Sequence, residues 1–226
     1  MTLAALLQLS SATLPVGAFS YSQGLEWAVE AGWVTDEASA GDWIECVVVD
    51  GIARSEAVIV ARTMQALADG DLSQLERINA RCLASRETRE LLAETVQMGR
   101  SMHRLLVTDR LVNATVLQLL NQIEERDGVC FPLTWAVAAH ARGVQANAAL
   151  IGYGYATLEN LVLAAVKTVP LGQSAGQRLL SRIGQRLPAL AQAAVDCPLD
   201  HLTNFLPGQV LASMHHEHQH TRLFRS

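Results

Sequence analysis

Apolar side chains recur every three to four residues along most of this 226-residue chain, which is the spacing of one face of an α-helix. Turn residues interrupt the pattern, as at residues 69–71 (DGD) and 127–128 (DG). Runs of β-branched residues are rare, and CVVVDGI at 46–52 lies inside a longer helical pattern. The sequence therefore predicts an all-α fold, a single bundle-like domain of about ten helices.

The same periodicity sets the expected helix boundaries. Helices are predicted at residues 3–12, 21–31, 36–50, 52–69, 72–84, 86–108, 110–126, 133–145, 148–167 and 175–187, with a weaker one at 207–218. One helix has a clear apolar stripe, formed by Leu91, Leu92, Met98, Met102, Leu105 and Leu106. The Ala- and Gly-rich stretch 135–167 predicts two central helices that pack closely. We expect the helical domain to span residues 1–198 and a C-terminal segment or tail to span 199–226.

Composition limits the possible functions of the chain. Half of the residues are apolar and 17% are charged, so the chain can bury a large core and leave apolar surface for partners. The net charge is -5 and no Lys or Arg run occurs, which argues against nucleic-acid binding. The four cysteines lie far apart, so we expect free thiols in a reducing compartment. The sequence has neither a basic leader nor about 18 uninterrupted apolar residues. The predicted location is therefore cytoplasmic, with no membrane contact.

No catalytic motif emerges from the sequence. GYGYAT at 152–157 lacks the third glycine of a dinucleotide fingerprint, and PLGQSAGQ at 170–177 lacks the Lys-Ser/Thr ending of a P-loop. His103 and His140 lie inside helical patterns, where a structural role is more common than a catalytic one. We therefore expect a protein that is not an enzyme and needs no cofactor.

The C-terminal stretch MHHEHQH, residues 214–220, is rich in histidine. His216 and His220 are four residues apart, so a helix would place both on one face, where they could bind Ni²⁺, Cu²⁺ or Zn²⁺. The alternative is an exposed polar tail with adventitious metal affinity, because no closed set of ligands is visible. No metal ligand is assigned on this basis.

The segment 14–32, LPVGAFSYSQGLEWAVEAG, combines turn residues with an acidic and aromatic helix. Gly17 permits a turn that other residues resist, and Ser20 with Gln23 fits an S-x-x-Q capping box. Gly32 is expected just beyond the C-terminal end of the helix. Folding alone does not explain its exposed aromatic and acidic side chains, which we expect to contact a partner.

This segment strongly resembles the N-terminal signature of the urease accessory protein F (UreF) family. Three further stretches agree in order: SRETRELLAETVQMGRSM (85–102), AAVKTVPLGQSAGQRLL (164–180) and the terminal HE…TRLFRS (216–226). Ala18 stands where the family commonly has a second glycine, and His218 and His220 are not part of the pattern. The resemblance spans nearly the whole chain.

The resemblance implies an all-helical, homodimeric scaffold that is not itself an enzyme. Members join accessory protein D, also called H, to accessory protein G, a nickel-carrying GTPase. The complex inserts nickel into urease apoprotein, and the F protein is thought to regulate GTP hydrolysis. Two alternatives remain open: a GTPase-activating protein that uses Lys167, or a nickel carrier that uses His215, His216, His218 and His220.

The resemblance also assigns partner-binding residues. The expected GTPase-side residues are Phe19, Tyr21, Glu26, Trp27, Glu30, Lys167 and Gln173. The expected contacts of the tail with the D/H-type protein are His216, Glu217, Arg222, Leu223, Phe224 and Arg225. Lys167 could instead complement the dipole at a helix end. The acidic face could be merely solvated, and the tail could instead dock onto the chain's own core or onto a dimer mate.

Overall fold

The computed structural model describes residues 2–226, and this part of the chain contains twelve α-helices and no β-strand. The helices are α1 (Thr2–Leu9), α2 (Leu25–Glu30), α3 (Glu37–Cys46), α4 (Glu56–Asp69), α5 (Gln74–Ala84), α6 (Arg89–Thr108), α7 (Ala114–Asp127), α8 (Phe131–Ala141), α9 (Ala146–Thr168), α10 (Gln173–Gly184), α11 (Leu187–Asp196) and α12 (Pro207–His216). They share one continuous hydrophobic core. The predicted all-α fold in a single domain is confirmed.

Helices α8 and α9 form the centre of the bundle. Every side chain of α8 from Pro132 to Ala139 is buried, because α4, α6 and α9 all pack against it. In α9, small residues allow close contact: Gly152 faces Leu6 of α1, and Gly154 faces Leu187 at the start of α11. The prediction of two central, closely packed helices is confirmed.

Helix α6 packs along α8 through a narrower stripe than the sequence indicates. Leu91, Met98, Met102 and Leu106 are buried, whereas Leu92 is exposed. Asp36 and Thr88 cap α3 and α6 by accepting hydrogen bonds from backbone N–H groups of the first turn. These local signals place the helix starts close to the predicted positions.

Some predicted boundaries are wrong. The sequence pattern did not predict α11 at Leu187–Asp196, which carries Pro188 in its first turn, where a missing N–H costs little. The helix predicted at 36–50 is α-helical only to Cys46 and continues as one π-helical turn, Val47–Gly51. A short 3₁₀ turn, Ile52–Arg54, then precedes α4.

The N-terminal segment folds differently from the expected capping box. Gly17 has a φ of 81° and Gly32 a φ of 75°, as a turn and a helix end require. The box at Ser20 and Gln23 is absent, because α2 begins only after Gly24, whose φ is 83°. A 3₁₀ turn, Ala18–Ser20, occupies the preceding residues.

The C-terminal segment 199–226 packs against the rest of the molecule. It contains a 3₁₀ turn at Leu199–His201, helix α12 and an irregular stretch from 217 onward. Helix α12 lies against α2 and α6. The two ends of the chain therefore meet on one side of the bundle.

One helix among the described residues, α9, is long and apolar enough to cross a membrane by length and composition alone. More than half of its most apolar window is buried inside the protein. Core helices of soluble proteins commonly pass the same test, so this is weak evidence for a membrane span.

Candidate partner-binding site

Glu26, in the first turn of α2, fixes the end of the chain. Its Oε1 accepts a hydrogen bond from the backbone N–H of Leu223 at 2.6 Å, and its Oε2 accepts one from Phe224 at 2.9 Å. Hydrogen bonds to an ionised carboxylate are among the stronger ones in proteins. Helix α2, the signature helix of segment 14–32, thus binds the terminal stretch directly at Leu223 and Phe224.

His216 links the same carboxylate to α6. The fully buried imidazole places Nε2 at 3.2 Å from Glu26 Oε2 and Nδ1 at 2.8 Å from Glu90 Oε2. The second oxygen of Glu90 accepts a hydrogen bond from Arg222 Nη1 at 3.0 Å. We call Glu26, Glu90, His216, Arg222 and Phe224 the tail-docking cluster.

The last residue, Ser226, is buried beside Glu94 of α6. Its carbonyl accepts hydrogen bonds from the N–H and the hydroxyl of Ser22, both at 2.6 Å. Its hydroxyl donates to Glu94 Oε2 at 2.9 Å, and Gln23 Nε2 donates to Glu94 Oε1 at 3.0 Å. Burial raises the pKa of Glu94 to about 7, although these hydrogen bonds oppose the shift.

Tyr21 is buried beneath the same surface. Its hydroxyl donates to Gln97 Oε1 at 2.6 Å, and its backbone carbonyl accepts from Asn160 Nδ2 at 3.2 Å. Burial, followed by the nearby Glu94 charge, raises the pKa of the Tyr21 phenol. Tyr21 thus connects the signature segment to α6 and α9 instead of projecting toward solvent.

Lys167, in the last turn of α9, reaches the docked tail. Its Nζ lies 5.6 Å from the centre of the Phe224 ring, within the range of a cation–π interaction. Phe224 itself is buried, while Lys167 is exposed. The residue expected to regulate the GTPase and the residue expected to anchor the tail are therefore neighbours.

An aromatic surface adjoins the cluster. Trp27 stacks on His215 with ring centres 4.5 Å apart, and it meets the edge of Trp33 at 5.0 Å. Phe19 is 60% exposed and Leu223 is 64% exposed. Large apolar side chains with this exposure are common at sites of protein contact.

Two predicted residues lie apart from this arrangement. Glu30 and Gln173 are exposed, and neither side chain has a hydrogen bond or ion pair with another described residue.

Two further predicted residues make contacts through their backbone. Arg225 is exposed, and its backbone N–H donates to the Ser20 carbonyl at 2.7 Å. Glu217 is half-buried, and its carbonyl accepts from Arg222 Nη2 at 2.7 Å.

The sequence reasoning missed the contribution of α6 to the site. Glu90, Glu94 and Gln97 all lie within the stretch 85–102, and their spacing of four and three residues places them on one helix face. That spacing was the available signal.

The histidines of 214–220 do not form the expected helical pair. Helix α12 ends at His216, so His220 lies beyond it, and His216 is enclosed by two carboxylates. Across residues 2–226, no group of three or more His, Cys, Asp or Glu side chains is placed to hold a metal ion.

Comparison with known proteins relates this geometry to a family. A family model described as UreF matches residues 34–184. The urease accessory protein UreF of Azoarcus sp. (strain BH72) is 53% identical over 98% of this chain and 94% of its own length. The proteins of the same name from Dechloromonas aromatica (strain RCB) and Janthinobacterium sp. (strain Marseille) are 49% and 46% identical, over 100% and 98% of this chain and 98% and 96% of theirs.

Proposed function

Because the chain belongs to the UreF family of urease accessory proteins, we propose that it serves urease maturation as a non-catalytic, cytoplasmic scaffold. It bridges the D/H-type accessory protein and the nickel-carrying GTPase G, so that nickel reaches urease apoprotein. It acts as a homodimer and regulates GTP hydrolysis in its partner. It binds neither nucleic acid nor membrane and holds no cofactor of its own.

One observation supports the bridging role: the tail and the signature helix share a single hydrogen-bonded cluster. Glu26 binds the backbone of Leu223 and Phe224, and Lys167 lies over the Phe224 ring. A partner bound to the tail therefore lies next to the residues assigned to the GTPase side. Adjacent sites on one rigid surface are what a scaffold needs to hold two proteins together.

The site residues differ in exposure: the buried ones support the structure of the site, and the exposed ones can contact a partner. Tyr21, His216 and Phe224 are buried and fix the geometry, whereas Phe19 and Leu223 project into solvent. We assign Leu223, with the neighbouring exposed arginines 222 and 225, to the D/H-type partner. Phe19, Trp27 and Lys167 are assigned to the GTPase.

The test is co-purification of the full-length protein with its two accessory partners, using a Leu223→Asp variant. Leu223 makes its hydrogen bond through the backbone, so the substitution removes none of the atoms that contact Glu26. A charge at a central apolar contact costs about 2 kcal/mol or more, which predicts a loss of D/H-type protein of about 30-fold.

The control is Val107→Asp, which changes a residue of α6 that is 44% exposed and belongs to neither assigned surface. It should co-purify both partners at the level of the unaltered chain. Normal recovery of the D/H-type protein by the folded Leu223→Asp variant, checked by circular dichroism, would rule out the tail assignment.

A further inference from the structure

A cavity lies between the N-terminal loop and α9. Ala12, Phe19 and Leu163 are exposed residues of its lining, and its volume is about 80 Å³. The walls are largely apolar, but the floor carries the buried charged residues Arg86 and Glu56. A partly open apolar cavity with a few convergent polar groups has the usual form of a small-ligand site.

The carboxylate at the floor has its partners within the protein. Arg86 Nη1 donates to Glu56 Oε1 at 2.7 Å, and the Tyr153 hydroxyl donates to Glu56 Oε2 at 2.6 Å. The side chains of Arg86 and Glu56 are only 6% and 10% exposed. Both oxygens of Glu56 are therefore used, and the carboxylate is not free to turn toward other donors.

The other edge of the Arg86 guanidinium lacks hydrogen-bond acceptors. Arg86 Nε and Nη2 are both buried, and no group among residues 2–226 accepts a hydrogen bond from either. These two N–H groups lie side by side on one edge of the planar guanidinium, the geometry that binds two oxygens at once. The Cys82 sulfur also lies within reach of the guanidinium, but sulfur is a weak hydrogen-bond acceptor and does not replace an oxygen.

A second polar group of the cavity wall lacks a partner. The Ser10 hydroxyl is buried and makes no hydrogen bond to any described residue. A buried donor left without a partner lowers the stability of the fold, and a charged donor lowers it more. Arg86 and Ser10 thus both indicate that the cavity holds a ligand with oxygen acceptors.

We propose that this cavity binds a small planar oxyanion of the carboxylate type, held by Nε and Nη2 of Arg86. The planar fork matches two oxygens on one carbon, and the volume admits one small anion or several waters. Glu56 already balances the guanidinium charge, so binding is weak, with a dissociation constant of roughly 1 mM. A nucleotide is too large for this volume, and the carboxyl groups of Glu94 and Glu159, which also line the cavity, repel a doubly charged phosphate more strongly than a singly charged carboxylate.

Formate, the smallest carboxylate, is the probe. Thermal unfolding of the full chain is measured in sodium formate and in sodium chloride at equal ionic strength. At about ten times its dissociation constant, a ligand raises the folded-to-unfolded ratio about 11-fold. For a chain of this length we expect an unfolding midpoint about 3–5 °C higher in formate than in chloride.

Two variants separate this site from a general salt effect. Arg86→Lys keeps the positive charge but removes the fork, and Ala156→Leu fills the cavity from α9 without touching the ion pair. Each variant, measured in both salts, should lose the formate-specific shift. Equal midpoints in formate and chloride for the unaltered chain would overturn the proposal and leave a water-filled cavity. A shift retained in Ala156→Leu would also overturn it, and so would one retained in a folded Arg86→Lys.

Discussion

At the residue scale, burial and hydrogen bonding have opposite effects on the pKa of Glu94. It accepts hydrogen bonds from Gln23 and Ser226, yet its pKa is raised to about 7 because the carboxylate is removed from water. The folded chain therefore holds this proton more tightly than the unfolded chain does. This difference makes stability depend on pH in a defined direction.

We predict that Glu94→Gln removes part of this pH dependence. Between about pH 4.5 and pH 7 the native chain keeps the Glu94 proton and the unfolded chain loses it, so stability falls as pH rises and then levels off. Glutamine cannot ionise. From pH 5 to pH 8 the variant should therefore gain stability relative to the unaltered chain by up to about 3 kcal/mol.

Urea unfolding of both proteins at pH 5 and pH 8 measures this effect. Glu30→Gln, at an exposed position of α2, controls for the loss of one negative charge and should show no comparable change. If the stability difference between Glu94→Gln and the unaltered chain is the same at both pH values, Glu94 does not bind the proton as described.

At the residue scale, the sequence predicted several members of the site but not their roles. Glu26 was expected on an acidic rim that faces a partner, and it instead accepts hydrogen bonds from the chain's own tail. Its contacts lie almost 200 residues away along the chain. Local spacing carries no information about such a contact, so the sequence could suggest that Glu26 matters but not what it binds.

At the scale of elements, residues close in sequence determine where most helices begin, and tertiary contacts determine where the exceptions begin. The capping residues Asp36 and Thr88 lie next to the helices that they begin. The start of α2 is different, because a Cβ at Gly24 would lie only 3.1 Å from Ala212 and Ser213 of α12, and the φ of Gly24 is positive. Packing of two remote elements therefore overrides the S-x-x-Q pattern, and a single sequence does not reveal that packing.

The packing of α6 depends on a second close approach. A Cβ added to Gly99 would collide with the backbone at Val129 and Cys130, which lead into α8. We predict that Gly99→Ala destabilises the protein by about 1–3 kcal/mol, despite alanine's better helix propensity, because backbone cannot move aside as a side chain can.

Chemical denaturation measures this loss, with Gly208→Ala of α12 as the matched control. A Cβ at Gly208 meets no atom within 4 Å, so that variant should be as stable as the unaltered chain or slightly more so. A Gly99→Ala protein with unchanged stability would show that α6 and the 129–130 segment can separate without cost.

At the scale of the whole molecule, the helical class and the family could be predicted from sequence, because both depend on patterns that are continuous along the chain. The meeting of the two chain ends on one side of the bundle could not. It depends on the direction in which α12 returns across α2 and α6. That direction is set by the summed packing of the bundle and not by any one motif.

At the same scale, the exposed apolar surface of α1 and α9 is where a second copy of the chain would bind. Helix α1 packs on α9, and the two helices expose Leu3, Leu7 and Tyr155. An apolar surface built from two adjoining helices is typical of a self-association site.

We predict that the homodimer forms through this surface and that Tyr155→Glu weakens the association about 30-fold or more, because a charge would be buried without a partner. Light scattering after gel filtration should give twice the chain mass of 24.4 kDa for the unaltered protein and a single chain mass for the variant. Leu211→Glu, on the exposed face of α12, should remain dimeric, and a dimeric Tyr155→Glu protein would place the interface elsewhere.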